Sequence, residues 1–87
     1  MDQNWLKSFQ TKLDQHHSWP TLYIFKFIVS KGKEDELKNL FPLHPSTEKI
    51  STQGNYVSVT FQMMMPSSEA VIEIYVRAEG IEGLIAL

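Results

Sequence analysis

Apolar and polar side chains alternate along the segment GNYVSVTFQMMM, which ends at Met65, and this alternation constrains the fold more than any other feature. A period of two residues predicts a β-strand with one face in a core. The inward face would consist of Val57, Val59, Phe61 and Met63. Gly54-Asn55 precedes the strand, and this pair suits the positive φ angles of a two-residue hairpin turn. The polar segment Thr47 to Gln53 is therefore predicted to pair antiparallel with it as an edge strand.

A second strand is predicted from Thr21 to Ser30, the richest run of aromatic and β-branched residues in the chain. Both of its faces are largely apolar, which is typical of a strand that is buried on two sides. We therefore expect this strand at the centre of a sheet. The N-terminal helix or a second subunit would then cover the face that carries Ile24 and Ile28.

Three segments have the periodicity of helices with an apolar stripe. They run from Asp2 to about Gln15, from about Lys33 to Phe41, and from Pro66 to about Gly80. Asp2 is a candidate N-cap for the first helix. In the third helix, Ile72 and Val76 widen the apolar surface beyond what a helix with one buried side needs. These two residues are therefore candidates for a subunit interface, together with Ile24 and Ile28.

The predicted order of elements is a helix followed by β-α-β-β-α-β, with a last strand from Gly83 to Leu87. This order predicts an α+β fold of the ferredoxin-like type, with a four-stranded antiparallel sheet and the first and third strands at its centre. The extra N-terminal helix and its linker would occupy residues 1–18. The βαββαβ domain would occupy residues 19–87.

Composition excludes several classes of function. The 87 residues include no cysteine, so disulfides, thiolate metal sites and a cysteine nucleophile are excluded. A formal net charge of −2 and scattered lysines argue against a nucleic-acid partner. The sequence lacks a signal peptide and an apolar run long enough to span a membrane, so we expect a cytoplasmic protein. His16, His17 and His44 lack the spacing of metal ligands, and no cofactor is predicted.

Two stretches resemble known sequences. WPTLYIFKF, which enters the first strand, and GNYVSVT, which enters the third, are similar to the corresponding stretches of the YbeD-like family of small bacterial proteins of unassigned function. The matching positions are Lys26, Gly54, Asn55, Tyr56, Ser58 and Val59. The resemblance covers residues 19–87, and the chain departs from the family in a shorter first helix of the domain and in its N-terminal extension. It implies an ACT-like fold, akin to regulatory domains that sense small molecules between subunits. It supplies no catalytic residues, and it hints at a link with lipoate metabolism.

Two groups of residues are candidates for a binding site. Lys26 shares its predicted face with Tyr56, Ser58 and Thr60, and an ammonium group among hydroxyls can hold a carboxylate or a phosphate. The alternative is that the lysine stem covers an apolar patch beneath a docked helix. The loop Lys31-Gly32 precedes a helix N-terminus, where backbone N–H groups bind anions, although ordinary turns also use glycine. Asn55, beside Tyr56, completes the candidate set.

The sequence thus predicts a non-enzymatic regulatory or interaction module, which binds a protein partner or a small anionic ligand and forms a homodimer. Two alternatives remain open. One is a small accessory enzyme that uses Lys26, Tyr56 and Ser58, and the other is a purely structural domain whose exposed sheet face serves for self-assembly.

Overall fold

The structure is a computed structural model that describes residues 3–87. The predicted N-cap, Asp2, lies outside the described residues. The elements are α1 (Gln3–His16), β1 (Thr21–Ser30), α2 (Glu34–Leu40), β2 (Ser46–Ile50), β3 (Tyr56–Met65), α3 (Ser68–Glu79) and β4 (Ile85–Ala86). No helix among these residues is both long and apolar enough to cross a membrane.

The four strands form one antiparallel sheet in the order β2-β3-β1-β4. The two most apolar strands, β1 and β3, lie at its centre, as the sequence predicts. They pair without interruption from Thr21 opposite Met65 to Ser30 opposite Tyr56. The predicted α+β fold with a four-stranded antiparallel sheet is therefore confirmed.

The core lies between one face of this sheet and the helices. Alternate residues of both central strands are buried there, and the inward face predicted for β3 is confirmed. The buried strand residues are Phe25, Phe27, Val29, Val57, Val59, Phe61, Met63 and Met65. From the helices, Leu37 of α2 and Val71 and Tyr75 of α3 enter the same core.

Helix α1 lies beside α3, on the helix side of the sheet. Its Leu13 is 5% exposed and belongs to the common core, and the ring of Phe9 lies 5.5 Å from that of Tyr75. The amide of Gln10 also donates a hydrogen bond of 2.8 Å to the carboxylate of Glu69. The helix therefore does not cover Ile24, and this part of the expectation is wrong. The apolar stripe of an amphipathic helix packs against an apolar surface, and for α1 that surface includes Tyr75 of α3.

The hairpin between β2 and β3 is longer than the predicted two-residue turn. The strands end at Ile50 and begin again at Tyr56, and only Gly54 in the loop has a positive φ, of 77°. The N–H of Ser51 donates to the carbonyl of Tyr56 at 2.8 Å, and the N–H of Gly54 donates to the carbonyl of Ser51 at 2.9 Å. A glycine in the left-handed region thus closes a five-residue loop, and Asn55 does not share that conformation.

The chain ends in a shorter strand than predicted. Gly83, at φ 76°, turns the backbone, and Leu84 packs against the core, so only Ile85 and Ala86 form a strand with β1. The N–H of Leu87 adds one hydrogen bond of 2.9 Å to the carbonyl of Lys26. Ser67 caps α3 by accepting a hydrogen bond of 3.2 Å from the N–H of Ala70. This cap agrees with the serines predicted at the helix start.

The position of α1 can be tested by truncating Leu13. Leu13→Ala removes a buried side chain from the common core, so we expect the free energy of unfolding to fall by about 2–4 kcal/mol. Lys12→Ala, at the exposed neighbouring position, is the matched control and is expected to stay within about 0.5 kcal/mol of the wild type. Urea denaturation measures both. Equal stability of the two variants would show that α1 does not share the core.

Candidate functional site

The face of the sheet opposite the helices is uncovered, and we call it the open face. It carries the outward residues of β1 and β3 and the residues of β2 and β4 that stand opposite them, since directly paired residues share a face. Its members are Leu22, Ile24, Lys26, Ile28, Ser30, Thr47, Lys49, Tyr56, Ser58, Thr60, Gln62, Met64 and Ile85. The predicted outward orientation of Lys26, Tyr56, Ser58 and Thr60 is confirmed by this register.

The open face has two apolar ends and a polar middle. At one end Leu22 stands opposite Met64, with Ile24 next along β1. At the other end Ile28 stands opposite Ile85, close to Tyr56. Lys26, opposite Thr60, lies between them. Leu22, Ile24, Met64 and Ile85 are each more than half exposed, which is a large apolar surface for one sheet face of a small domain.

The residues proposed to bind an anion share the open face but do not converge on one point. Tyr56 stands opposite Ser30, four residues along β1 from Lys26, so the two backbone positions are about 13 Å apart. The hydroxyl of Ser58 donates to the carbonyl oxygen of Lys49 at 3.4 Å. The geometry thus separates the lysine from the tyrosine, and it gives the serine hydroxyl a backbone partner.

A shallow cleft lies at the hairpin end of the open face. Its volume is about 190 Å³, and its lining includes Ile28, Lys49, Tyr56 and Ser58, together with Ser51 and Thr52 of the loop. This places two of the residues predicted to bind a ligand, Tyr56 and Ser58, in one concave surface with the interface candidate Ile28. Lys49 was not among the predicted residues. Its position on the edge strand could have identified it, because the pairing of β2 with β3 places Lys49 opposite Ser58, on the same face.

The loop at the start of α2 is occupied by the protein's own carboxylate. The N–H of Gly32, at φ 101°, donates to both oxygens of Glu34, at 3.0 and 3.1 Å. Glu34, Asp35 and Glu36 fill the first turn of a helix of seven residues. The N–H of Lys31 donates to the carbonyl of Asn55 at 3.0 Å, so this loop and the hairpin are neighbours. The three carboxylates repel a second anion at this helix end.

The two interface candidates on α3 differ in exposure. Ile72 is half-buried and packs against the core, whereas Val76 is 49% exposed. Both lie on the helix side of the molecule, because α3 packs on the buried face of the sheet. They are therefore separate from Ile24 and Ile28, which lie on the open face.

The histidines are not arranged as metal ligands. Among residues 3–87, no group of three His, Asp or Glu side chains could hold a metal ion. The ring of His17 lies 5.5 Å from those of Trp19 and of Tyr23. The linker that carries His17 therefore folds back onto β1.

An aromatic cluster lies where α1, α3 and β1 meet. Trp5, Phe9, Tyr23 and Tyr75 line a cavity of about 280 Å³ there, with Ala86 and Leu87. The hydroxyls of Tyr23 and Tyr75 are 3.2 Å apart. Burial, and secondly the hydrogen bond with Tyr23, raise the pKa of Tyr75 far above its ordinary value.

Comparison with protein-family models, with curated proteins and with solved structures finds no match to this chain.

The raised pKa of Tyr75 predicts a loss of stability in alkali. In the unfolded chain this hydroxyl loses its proton near pH 10, whereas in the folded protein it keeps it, so the free energy of unfolding falls as the pH rises above about 10. In Tyr75→Phe this contribution is absent. Urea denaturation at neutral pH and near pH 11 should therefore show a smaller fall for Tyr75→Phe than for the wild type. Equal falls in the two proteins would contradict the assignment.

Proposed function

We propose that this protein is a non-enzymatic interaction module of the ferredoxin-like, ACT-like type, and that its open face binds a protein partner. Three observations support the fold type: the order of elements after α1, the strand order β2-β3-β1-β4, and the resemblance of the sequence to the YbeD-like family. The observation that carries the function is the exposure of four large apolar side chains on the open face, namely Leu22, Ile24, Met64 and Ile85.

An apolar sheet face is ordinarily covered by another layer of structure. In this protein all three helices lie on the other face, so the chain in residues 3–87 has no element left to cover Ile24. Each of the four is little more than half exposed, so burying the rest of one side chain contributes about 1 kcal/mol to a complex. Together they contribute a few kcal/mol, which must be set against the cost of association. Their position along three strands gives them a defined shape.

The arrangement favours binding over catalysis. A nucleophile and its base need hydrogen-bond contact. Lys26 and Tyr56 are too far apart for that contact, and the hydroxyl of Ser58 is directed to a backbone carbonyl. The alternative of an accessory enzyme built on these three residues is thus less well supported than an interaction surface.

A small anionic ligand is the second candidate, and the hairpin cleft favours it. Lys49 supplies a positive charge there, and Tyr56 and the loop residues Ser51 and Thr52 supply hydroxyls. The cleft is shallow and forms the hairpin end of the open face, so a ligand in it would lie beneath one end of the bound partner. By the YbeD-like resemblance, we place the function in the cytoplasm of bacteria and connect it with lipoate metabolism.

The proposal predicts that a photoreactive residue at position 24 will cross-link to a partner in cells, whereas one at the exposed position 12 of α1 will not. Once the cross-linked protein is identified and purified, Ile24→Ser with Met64→Ser should weaken its binding at least tenfold, because two apolar side chains leave the interface. The stability of the double variant should stay close to that of the wild type, since both positions are exposed.

Two results would contradict this function. One is cross-linking from position 12 as strong as that from position 24. The other is unchanged affinity of the double variant for the purified partner. A partner that proves to be a second copy of the chain would support the self-assembling alternative instead.

A further inference from the structure

The charges of the strands are distributed unequally between the two faces of the sheet. Glu48 is the only acidic residue within the four strands, and it stands opposite the inward Val59, on the helix side. Its carboxylate binds the ammonium group of Lys38 in α2 at 2.8 Å. The open face carries Lys26 and Lys49 and no Asp or Glu side chain from any strand. The side chains of the strands therefore make this face an apolar surface whose charged groups are all positive, in a chain whose net charge is negative.

We infer that the open face binds an acidic amphipathic helix of a partner protein. This inference rests on the proposed function and names the chemistry of the partner. Apolar side chains of such a helix would contact Leu22, Ile24 and Met64 at one end and Ile28 and Ile85 at the other. Its carboxylates would lie over Lys26 and beside Lys49, where a buried ammonium group needs a negative partner.

A second copy of the chain is a poor occupant for the same reason. A two-fold dimer places the same surface of each copy against the other. Lys26 is the middle outward residue of β1, so it would meet the other copy's lysine near the axis. Two like charges taken out of water together are strongly unfavourable, and no carboxylate of the strands is there to separate them.

The dimensions of the open face suit a single helix. From Leu22 to Ile28 is six residues of strand, or about 20 Å, which corresponds to a helix of about 13 residues. Strands are spaced about 4.8 Å apart, and a helix with its side chains is about 10–12 Å wide, so one helix covers three strands. This is a small interface, and its affinity should depend strongly on the charges.

Three synthetic peptides test the inference with the full chain. All have the same apolar stripe, and their remaining positions facing the sheet are Glu in the first, Lys in the second and Gln in the third. Titration followed by methyl NMR should show contacts at Ile24, Met64 and Ile85. We expect the Glu peptide to bind at least tenfold more tightly than the Lys peptide, with an affinity that falls as salt is added.

Charge reversal supplies the control. Lys26→Glu with Lys49→Glu should abolish the preference for the Glu peptide and favour the Lys peptide. Lys7→Glu with Lys12→Glu changes the net charge equally at exposed positions of α1 and should leave the order of the peptides unchanged. Circular dichroism and urea denaturation establish that both double variants are folded.

Each other outcome overturns the inference. Equal binding of the Glu and Lys peptides, or an unchanged order after reversal at positions 26 and 49, shows that the lysines do not select the partner. A dimer that light scattering detects in the wild type, and that Ile24→Ser with Met64→Ser dissociates, replaces the helix with a second copy. If no peptide binds but position 24 still cross-links to a partner, the acidic helix is wrong and the interaction function stands. If position 24 cross-links to nothing either, both are wrong.

Discussion

The pairing of β1 with β3 decides which side chains are buried and which are displayed. The two strands run opposite each other over ten residues, and a slip of one residue would exchange their inward and outward sets. In the observed register Phe25, Phe27 and Phe61 enter the core, and Lys26 and Thr60 face outward. The composition of the open face is thus a direct consequence of the register that builds the core.

All three helices pack on the same face of the sheet, and the other face is therefore left open. A domain of this size buries a modest fraction of its surface. Helix α1, which adds Leu13 and Phe9 to the core, therefore contributes substantially to stability. The apolar stripe of α1 fits the side of α3 that carries Tyr75, as the ring contact between Phe9 and Tyr75 shows. Once α1 lies there, β1 retains an apolar outward row without a cover.

The sequence was sufficient for those features that depend on local periodicity. The alternation in β3 predicts its inward face, and the two-sided apolar pattern of β1 predicts its central position. The position of α1 could not be predicted, because a stripe indicates that a helix is buried but not against what. The length of the hairpin was missed since one glycine at positive φ suits loops of several lengths. The alternation of side chains along each strand places Lys26 and Tyr56 on one face. Only the register between the strands gives the distance between them.

The position of Lys26 has a consequence for assembly as well as for recognition. An apolar sheet face without charge would stack on any similar face, including that of another copy. A lysine in the middle of such a face makes this stacking unfavourable, while its long apolar stem still covers neighbouring side chains. The same ammonium group becomes favourable once a carboxylate is placed over it. On the function proposed here, Lys26 repels the lysine of a second copy and attracts the carboxylate of an acidic partner. Specificity thus arises from repulsion and attraction at the same position.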